Sequence, residues 1–399
     1  MVRRPGWSQF LWALPDTEVA SVLLDLTVLS SPSRMRGIGR YVADLASGIT
    51  DSSVVGLERL SWNGAIDTAS DLPAAVRRLL SDRQRTGHAG WAYRTRLLLA
   101  RAARRAEVEL VHSGHPEATP LARGGFRRVV TCHDLIELSY PDRYLSWRDG
   151  WAPGRLRLDR RRFGSADHVI AVSETTANDL VTKLGILARK ITVVHNGVDL
   201  TRWSARARPS DDPVLECHGL SPRGYALYVG GSDWRKNPEG MCSALAAVPE
   251  LELAWAGKLG DGERRSVEAI ADRAGVLARV RLLGYVRDDE LAALRRGALA
   301  ELFVSRAEGF GYPVIEAMAS GCPVITSNRS SMAEIAGDAA LSVDPEDSAA
   351  IADALSTVVR SSAERVRLRE AGLSRCRRFG VDRMVAGTLD VYRRVLGDH

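Results

Sequence analysis

Short apolar runs of four to six residues, bounded by turn residues, alternate with stretches of helical periodicity along most of this chain. That rhythm is the strongest constraint on the fold, because repeated strand–helix units build parallel sheets with helices on both faces. Ser21–Leu26, Glu109–His112, Arg128–His133, His168–Val172 and Ile191–Val194 read as buried strands, and a helix opens near Gly39. From Asn196-Gly-Val-Asp199 to Gly224 the pattern lapses into Arg, Pro, Ser and Asp. It then restarts with strands at Tyr225–Val229, Leu251–Trp255, Val280–Leu283, Ala300–Val304 and Pro323–Thr326. Helices are expected at Pro238–Ala247, Gly262–Ala274, Asp288–Arg296 and Pro313–Ser320.

The expected class is α/β, with two Rossmann-like doubly wound domains facing each other across a cleft at the carboxyl ends of their strands. A length of 399 residues suits two cores of roughly 150–200 residues each. The expected division is an N-terminal extension 1–20, a first domain 21–205, a linker 206–224 and a second domain 225–385. A C-terminal helix over 386–399 would pack back on the first domain.

Composition narrows the function classes. A net charge of +6 admits acidic ligands but is too mild to argue for nucleic acid. Five scattered cysteines without a Cys-x-x-Cys pair read as reduced thiols of a cytoplasmic protein, not a disulfide frame or zinc site. No apolar run approaches the ~20 residues that span a bilayer. Met1 to Leu14 mixes Arg3 and Arg4 with Trp7, Phe10 and Trp12; it reads as a tail packed on the body, a membrane-surface helix being the second reading.

The chemistry concentrates in the second half. Glu308-Gly-Phe-Gly-Tyr-Pro-Val-Ile-Glu316 joins a strand to a helix. Gly309 and Gly311 allow a tight loop with amides facing a ligand, and proline suits the first helical turn. The positive end of that helix suits a phosphate. Glu308 and Glu316 then bracket one pocket; the plain alternative makes one a solvated loop residue and the other a partner of the helix dipole. Upstream, Gly230-Gly231 ends a strand, and Arg235 and Lys236 precede a helix capped by Asn237. Two cations and a helix start favour a diphosphate over a chance surface pair. In the first half, Met35-Arg-Gly-Ile-Gly-Arg-Tyr41 is a glycine-rich turn. Gly37 and Gly39 do not complete Gly-x-Gly-x-x-Gly, because Val42 holds the last position, which argues against a dinucleotide-dependent oxidoreductase. His133 ends a strand facing the cleft, where imidazole can donate to a hydroxyl or shuttle a proton. His112, His115 and His195 lie at strand ends too, without metal-site spacing.

These residues resemble glycosyltransferase family 4, retaining transferases of the GT-B fold. The resemblance runs from about Val22 to the C-terminus and is densest at Leu302–Asn328; His195-Asn-Gly-Val-Asp199, Gly284-Tyr-Val and Ser331-Met-Ala-Glu-Ile-Ala-Gly-Asp338 agree as well. It implies that Glu316 binds the donor ribose, with Val314 beside it in the same donor site. Glu308 and the amides of Gly309, Phe310 and Gly311 hold the donor sugar. Lys236, with Arg235 beside it and Gly230 in the same loop, holds the diphosphate. His133 touches the sugar near the reacting carbon, and the Gly37–Gly39 turn closes over the phosphates. One departure is Gly231, where many relatives carry arginine; Arg235 is the candidate to replace that charge. The Arg-Gly-Ile-Gly-Arg-Tyr turn and Thr131–Asp142 resemble bacterial mannosyltransferases of cell-surface polysaccharides, which implies a GDP-mannose donor.

The expectation is therefore a metal-independent, cofactor-free, retaining hexosyltransferase using a nucleotide-sugar co-substrate and a glycan or lipid-linked acceptor. It would act in the cytoplasm or at the inner membrane face, with Arg94, Arg96, Arg101, Arg104 and Arg105 offering a membrane or lipid-phosphate contact. The alternatives are a UDP-sugar-dependent transferase on a small-molecule acceptor, a sugar-nucleotide epimerase or phosphorylase, and an inactive sugar-binding scaffold.

Overall fold

A computed structural model of the chain describes residues 21–30, 37–50, 56–60, 66–68, 88–121, 124–144 and 154–397. The N-terminal extension and Met35 and Arg36 of the glycine-rich turn lie outside these residues.

The first sheet has strands β1 (Ser21–Asp25), β2 (Gly56–Leu60), β3 (Ile66–Thr68), β4 (Leu110–Ser113), β5 (Arg127–Cys132), β6 (His168–Ala171) and β7 (Ile191–Val193). Their spatial order is β3-β2-β1-β4-β5-β6-β7, parallel throughout except for β3 against β2. The second sheet comprises β8 (Tyr225–Val229), β9 (Glu252–Ala256), β10 (Val280–Gly284), β11 (Ala300–Phe303), β12 (Val324–Ser327) and β13 (Leu341–Val343), in the order β10-β9-β8-β11-β12-β13 and all parallel. Both orders reverse beside their own first strand, the doubly wound pattern that leaves a crevice at the carboxyl ends there. That places two switch points, β1/β4 and β8/β11, where ligand loops can converge.

The apolar runs become the cores. Val22, Leu24, Leu110, Val129 and Ile170 pack in one, and Leu227, Trp255, Leu302 and Ile325 in the other, all essentially without exposure. Each such side chain contributes about 1.5–3 kcal/mol on burial.

Two expected boundaries need correction. The stretch 206–224 is not a bare linker: it contains a helix, Asp211–Cys217, and Leu215 and Leu220 are buried in the second core. Arg296 holds Asp211 with two bonds of 2.6 and 2.7 Å. A boundary at 385/386 is also wrong. A single helix runs Val381–Leu396, and its Met384, Val385, Leu389, Val391 and Tyr392 complete the first domain's core. The chain thus crosses between domains twice, and the crossings touch: Val198 N donates to Phe379 O (2.8 Å), and Val198 bridges Gly380. Gly197 is required there, since a Cβ would lie 2.5 Å from Val381 Cα.

Candidate active site

The helices that frame the site are α1 (Gly37–Thr50), α2 (Pro238–Ala246), α3 (Asp288–Gly297), α4 (Tyr312–Ala319) and α5 (Ser331–Ala336). At the β8/β11 switch point, the loop after β8 brings Arg235 and Lys236, and the loop after β11 brings Glu308. Arg235 Nη1 lies 2.7 Å from Glu308 Oε2, and Lys236 Nζ 2.6 Å from Oε1. Glu308 and Lys236 are nearly buried, at 11% and 13% side-chain exposure, so these charges are only weakly screened. Burial works to raise the Glu308 pKa, but Lys236 and Arg235 outweigh it and leave it lowered; the residue is a carboxylate. Burial lowers the Lys236 pKa, against the opposing pull of Glu308. Arg235 thus stands beside Lys236 on the same carboxylate, while Gly231 faces open space.

Local structure fixes these groups. Arg235 and Lys236 sit in a 3-10 turn, Trp234–Lys236, closed by the fully buried Asn237 in the left-handed region (φ 61°). Asn237 accepts from Gly240 N and donates to Val304 O and Pro345 O, tying the β8 loop to the β11 loop. The carbonyl of Glu308 accepts from Ser330 and Ser331 hydroxyls at 2.7 and 2.9 Å, and its amide donates to Ser330 Oγ. Gly311 precedes α4 at φ 109°, and a Cβ there would come 2.3 Å from Met332. Phe310 and Val314 are buried, Phe310 against Tyr312 and Phe379. Gly230 is packed as well: its amide bonds Ala256 O, and Tyr228 and Trp255 bond the loop around it.

Glu316 has a different set of partners, so the two glutamates do not share one cation pair. It lies within α4, 3% exposed. Oε2 receives Arg295 Nη1 at 2.6 Å, and Oε1 pairs with Arg40 of α1, from the first domain. Arg295 is fully buried and also holds Glu301 at 3.0 Å, with Trp203 stacked over its guanidinium. Arg40 lies over Trp203 and Tyr312. Arg40, Arg295, Glu301 and Trp203 were not singled out in the sequence.

The first domain closes on these loops. Gly309 packs so tightly on His133 that a Cβ would fall 1.8 Å from the His133 carbonyl oxygen. Gly37 and Gly39 lie inside the first turn of α1, not in a loop before it, and a Cβ on Gly37 would come 3.3 Å from the Tyr312 ring. His133 is 8% exposed, its Nε2 is 2.8 Å from Gly114 O, and burial lowers its pKa. Because a carbonyl only accepts, Nε2 carries the proton and the neutral ring offers Nδ1 as an acceptor. This corrects the expected donor role. His112 is structural, bonded between Tyr392 and Thr131 inside the core, and burial pushes its pKa down to about 3. His195 Nε2 meets Glu334 Oε1 at 2.6 Å, and both Glu334 oxygens accept from Glu174 N, bonding the two domains. His115 accepts from Glu117 N. Of the arginine run, Arg101, Arg104 and Arg105 are exposed on the helix His88–Arg105, Arg96 leans on Glu117 O, and the Arg94 side chain is outside the described residues.

Comparison with known proteins agrees with this geometry. The family described as Glycosyltransferase Family 4 matches residues 35–202, and Glycosyl transferases group 1 matches 220–375. The chain is similar to O-antigen chain mannosyltransferase B of Escherichia coli, 28% identical over 67% of this chain and 70% of that protein. It is 30% identical to D-inositol 3-phosphate glycosyltransferase of Xylanimonas cellulosilytica, over 77% of this chain and 69% of the relative. The structure of sucrose-phosphate synthase from Thermosynechococcus elongatus superposes with a TM-score of 0.76 at 19% identity, covering 95% of this chain and 99% of that one. With two facing doubly wound domains and both halves matched, the chain belongs to the family 4, group 1 glycosyltransferases and has the GT-B fold.

Proposed function

We propose that this glycosyltransferase moves a hexose, mannose from GDP-mannose, to a glycan or lipid-linked acceptor in cell-surface polysaccharide synthesis, with retention of configuration. The observation that carries the donor assignment is Glu308 held between Arg235 and Lys236 at the β8/β11 switch point. A carboxylate there can take sugar hydroxyls while the cations take the diphosphate, and fixed positive charge beside a departing phosphate is usually the largest catalytic term. Glu316 would take the ribose hydroxyls, a role that requires Arg40 to give up one carboxylate oxygen. His133 would accept a donor-sugar hydroxyl at Nδ1.

The reaction breaks the bond from the anomeric carbon to the diphosphate oxygen and forms one to the acceptor oxygen on the same face. The acceptor proton passes to the departing phosphate. Both glutamates are committed to cations, which favours this route over a covalent glycosyl-enzyme of the paired-carboxylate kind. The cation pair supplies the positive charge needed, so neither metal nor cofactor enters. The similarity to an O-antigen mannosyltransferase supports mannose and a bacterial surface polysaccharide. No described helix is long and apolar enough to cross a membrane; a cytoplasmic site at the inner membrane face fits a lipid-linked acceptor.

The similarity to a D-inositol 3-phosphate glycosyltransferase favours a small-molecule acceptor; the second reading joins that acceptor to a UDP-sugar donor. Turnover on a panel of GDP-, UDP- and ADP-sugars separates the two. GDP-mannose consumption with an α-linked product supports the proposal; exclusive use of UDP-sugars transfers it to the second reading. Tight nucleotide binding without turnover on any acceptor would point to a sugar-binding scaffold.

A further inference from the structure

A cavity of about 240 Å³ opens between the domains and is not used by the donor reading. Its first-domain wall is Tyr140 to Arg143, in the segment that follows His133. Its second-domain wall is Trp234, Arg306, Arg329 and Glu346. Both walls continue the loops that hold the donor groups. Trp234 precedes Arg235, Arg306 N donates to Arg235 O at 2.7 Å, and Arg329 precedes the Ser330 that bonds Glu308. None of the partners of Glu316 lines the cavity. On the proposed donor reading, the cavity therefore lies on the Glu308 side of the site and not on the Glu316 side.

The chemistry of its walls is specific. The Trp234 ring has Arg143 at 4.8 Å and Arg306 at 5.1 Å from its centroid, with Tyr140 edge-on at 5.2 Å. Arg306 is fixed by Glu346 at 2.7 Å and by Trp234 O at 2.7 Å, and Arg329 by Asp344 at 2.7 Å. Arg143 has its guanidinium on the ring. Arg143, Arg306 and Arg329 thus reach one space, which Asp142 and Glu346 also line; Asp344 pairs with Arg329, and Glu239 lies 3.9 Å from Arg306. Two of the three are positioned by their own salt bridges, so little side-chain order remains to be acquired on binding. A cavity of this volume has room for a charged group on a sugar. With two guanidiniums already held over the tryptophan ring, recognition here goes through charge and not through ring stacking.

We propose that this cavity is an acceptor subsite for an anionic group, a phosphate or carboxylate borne by the acceptor glycan, seated between Arg143, Arg306 and Arg329. The inference rests on the transferase reading of the neighbouring donor site. It also predicts that the transferase discriminates for charge on the acceptor, independently of which nucleotide it uses.

The test is isothermal titration, with saturating nucleoside diphosphate, of mannose 6-phosphate, galacturonic acid and neutral mannose. The wild-type protein is compared with Arg143→Glu and Arg329→Glu, and nucleoside diphosphate affinity is measured separately for each. The expected result is at least tenfold tighter binding of one anionic sugar than of mannose. That preference should be lost in both variants, with nucleotide affinity within twofold of wild type. Preference for the phosphate or for the carboxylate identifies the anion. No preference in the wild-type protein, or a preference that survives both substitutions, overturns the subsite. Absence of nucleotide binding in the wild-type protein would instead overturn the donor reading.

Discussion

Replacing Arg295 by methionine tests the electrostatics behind the Glu316 carboxylate. Arg295 has no solvent exposure and bonds Glu301 at 3.0 Å and Glu316 at 2.6 Å; Glu301 has none either. Burial pushes the Glu301 pKa up to about 7 even though Arg295 opposes that rise. Methionine keeps much of the volume under Trp203 but leaves two carboxylates facing each other in the core. Removing one partner of a buried pair costs about 3–5 kcal/mol, because the charge left behind is uncompensated. With a urea slope near 2–3 kcal/mol/M, the unfolding midpoint should fall by about 1–2.5 M at unchanged slope. Arg295→Met combined with Glu301→Leu removes the innermost unpaired charge as well, and should recover at least ~1 kcal/mol relative to the sum of the single effects. A single variant within about 1 kcal/mol of wild type, or strictly additive singles, would refute the reasoning.

Two further predictions follow from named contacts. Asp25 ends β1 fully buried, accepting from Thr27, and burial pushes its pKa up to about 6 from 3.8. Its raised folded pKa contributes stability that is present below pH ~4 and lost as pH rises through about 6, a change of roughly 2–3 kcal/mol; denaturation series from pH 3.5 to 7 should show that decline in wild type and not in Asp25→Asn. Gly309→Ala places a methyl on the His133 carbonyl, so it should cut turnover at least 100-fold and expand the molecule in solution scattering with the unfolding midpoint little changed; full turnover would show that this contact is not part of the working state.

Much of the architecture was legible because buried parallel strands announce themselves. Tyr225–Val229 was read to the residue, and most other strand and helix ends moved by one or two. β2 and β3 carry Glu58, Arg59 and Asp67, β3 being the edge strand of its sheet, and β13 is three residues long. None of the three gave a continuous apolar run. The site was legible where its parts are local: the Arg235–Lys236 turn, the Asn237 cap and the Glu308–Gly311 loop. It was not legible where partners are remote. Arg40 and Glu316 are 276 positions apart, and nothing near either foretells the pair. Arg295 and Arg296 look equivalent at the end of α3, yet one helical step turns the first toward Glu301 and Glu316 and the second toward Asp211 of the helix Asp211–Cys217. Direction, not residue type, separates them, since the Arg296 side chain is itself only 6% exposed.

Calorimetric titration of nucleoside diphosphate into wild type and Lys236→Ala tests the claim that the cations at the β8/β11 switch point hold the donor diphosphate. A charge-assisted bond is worth about 1.5–3 kcal/mol, so the variant should bind about 10- to 100-fold more weakly with its fold intact. Equal affinity in the two proteins would contradict the claim.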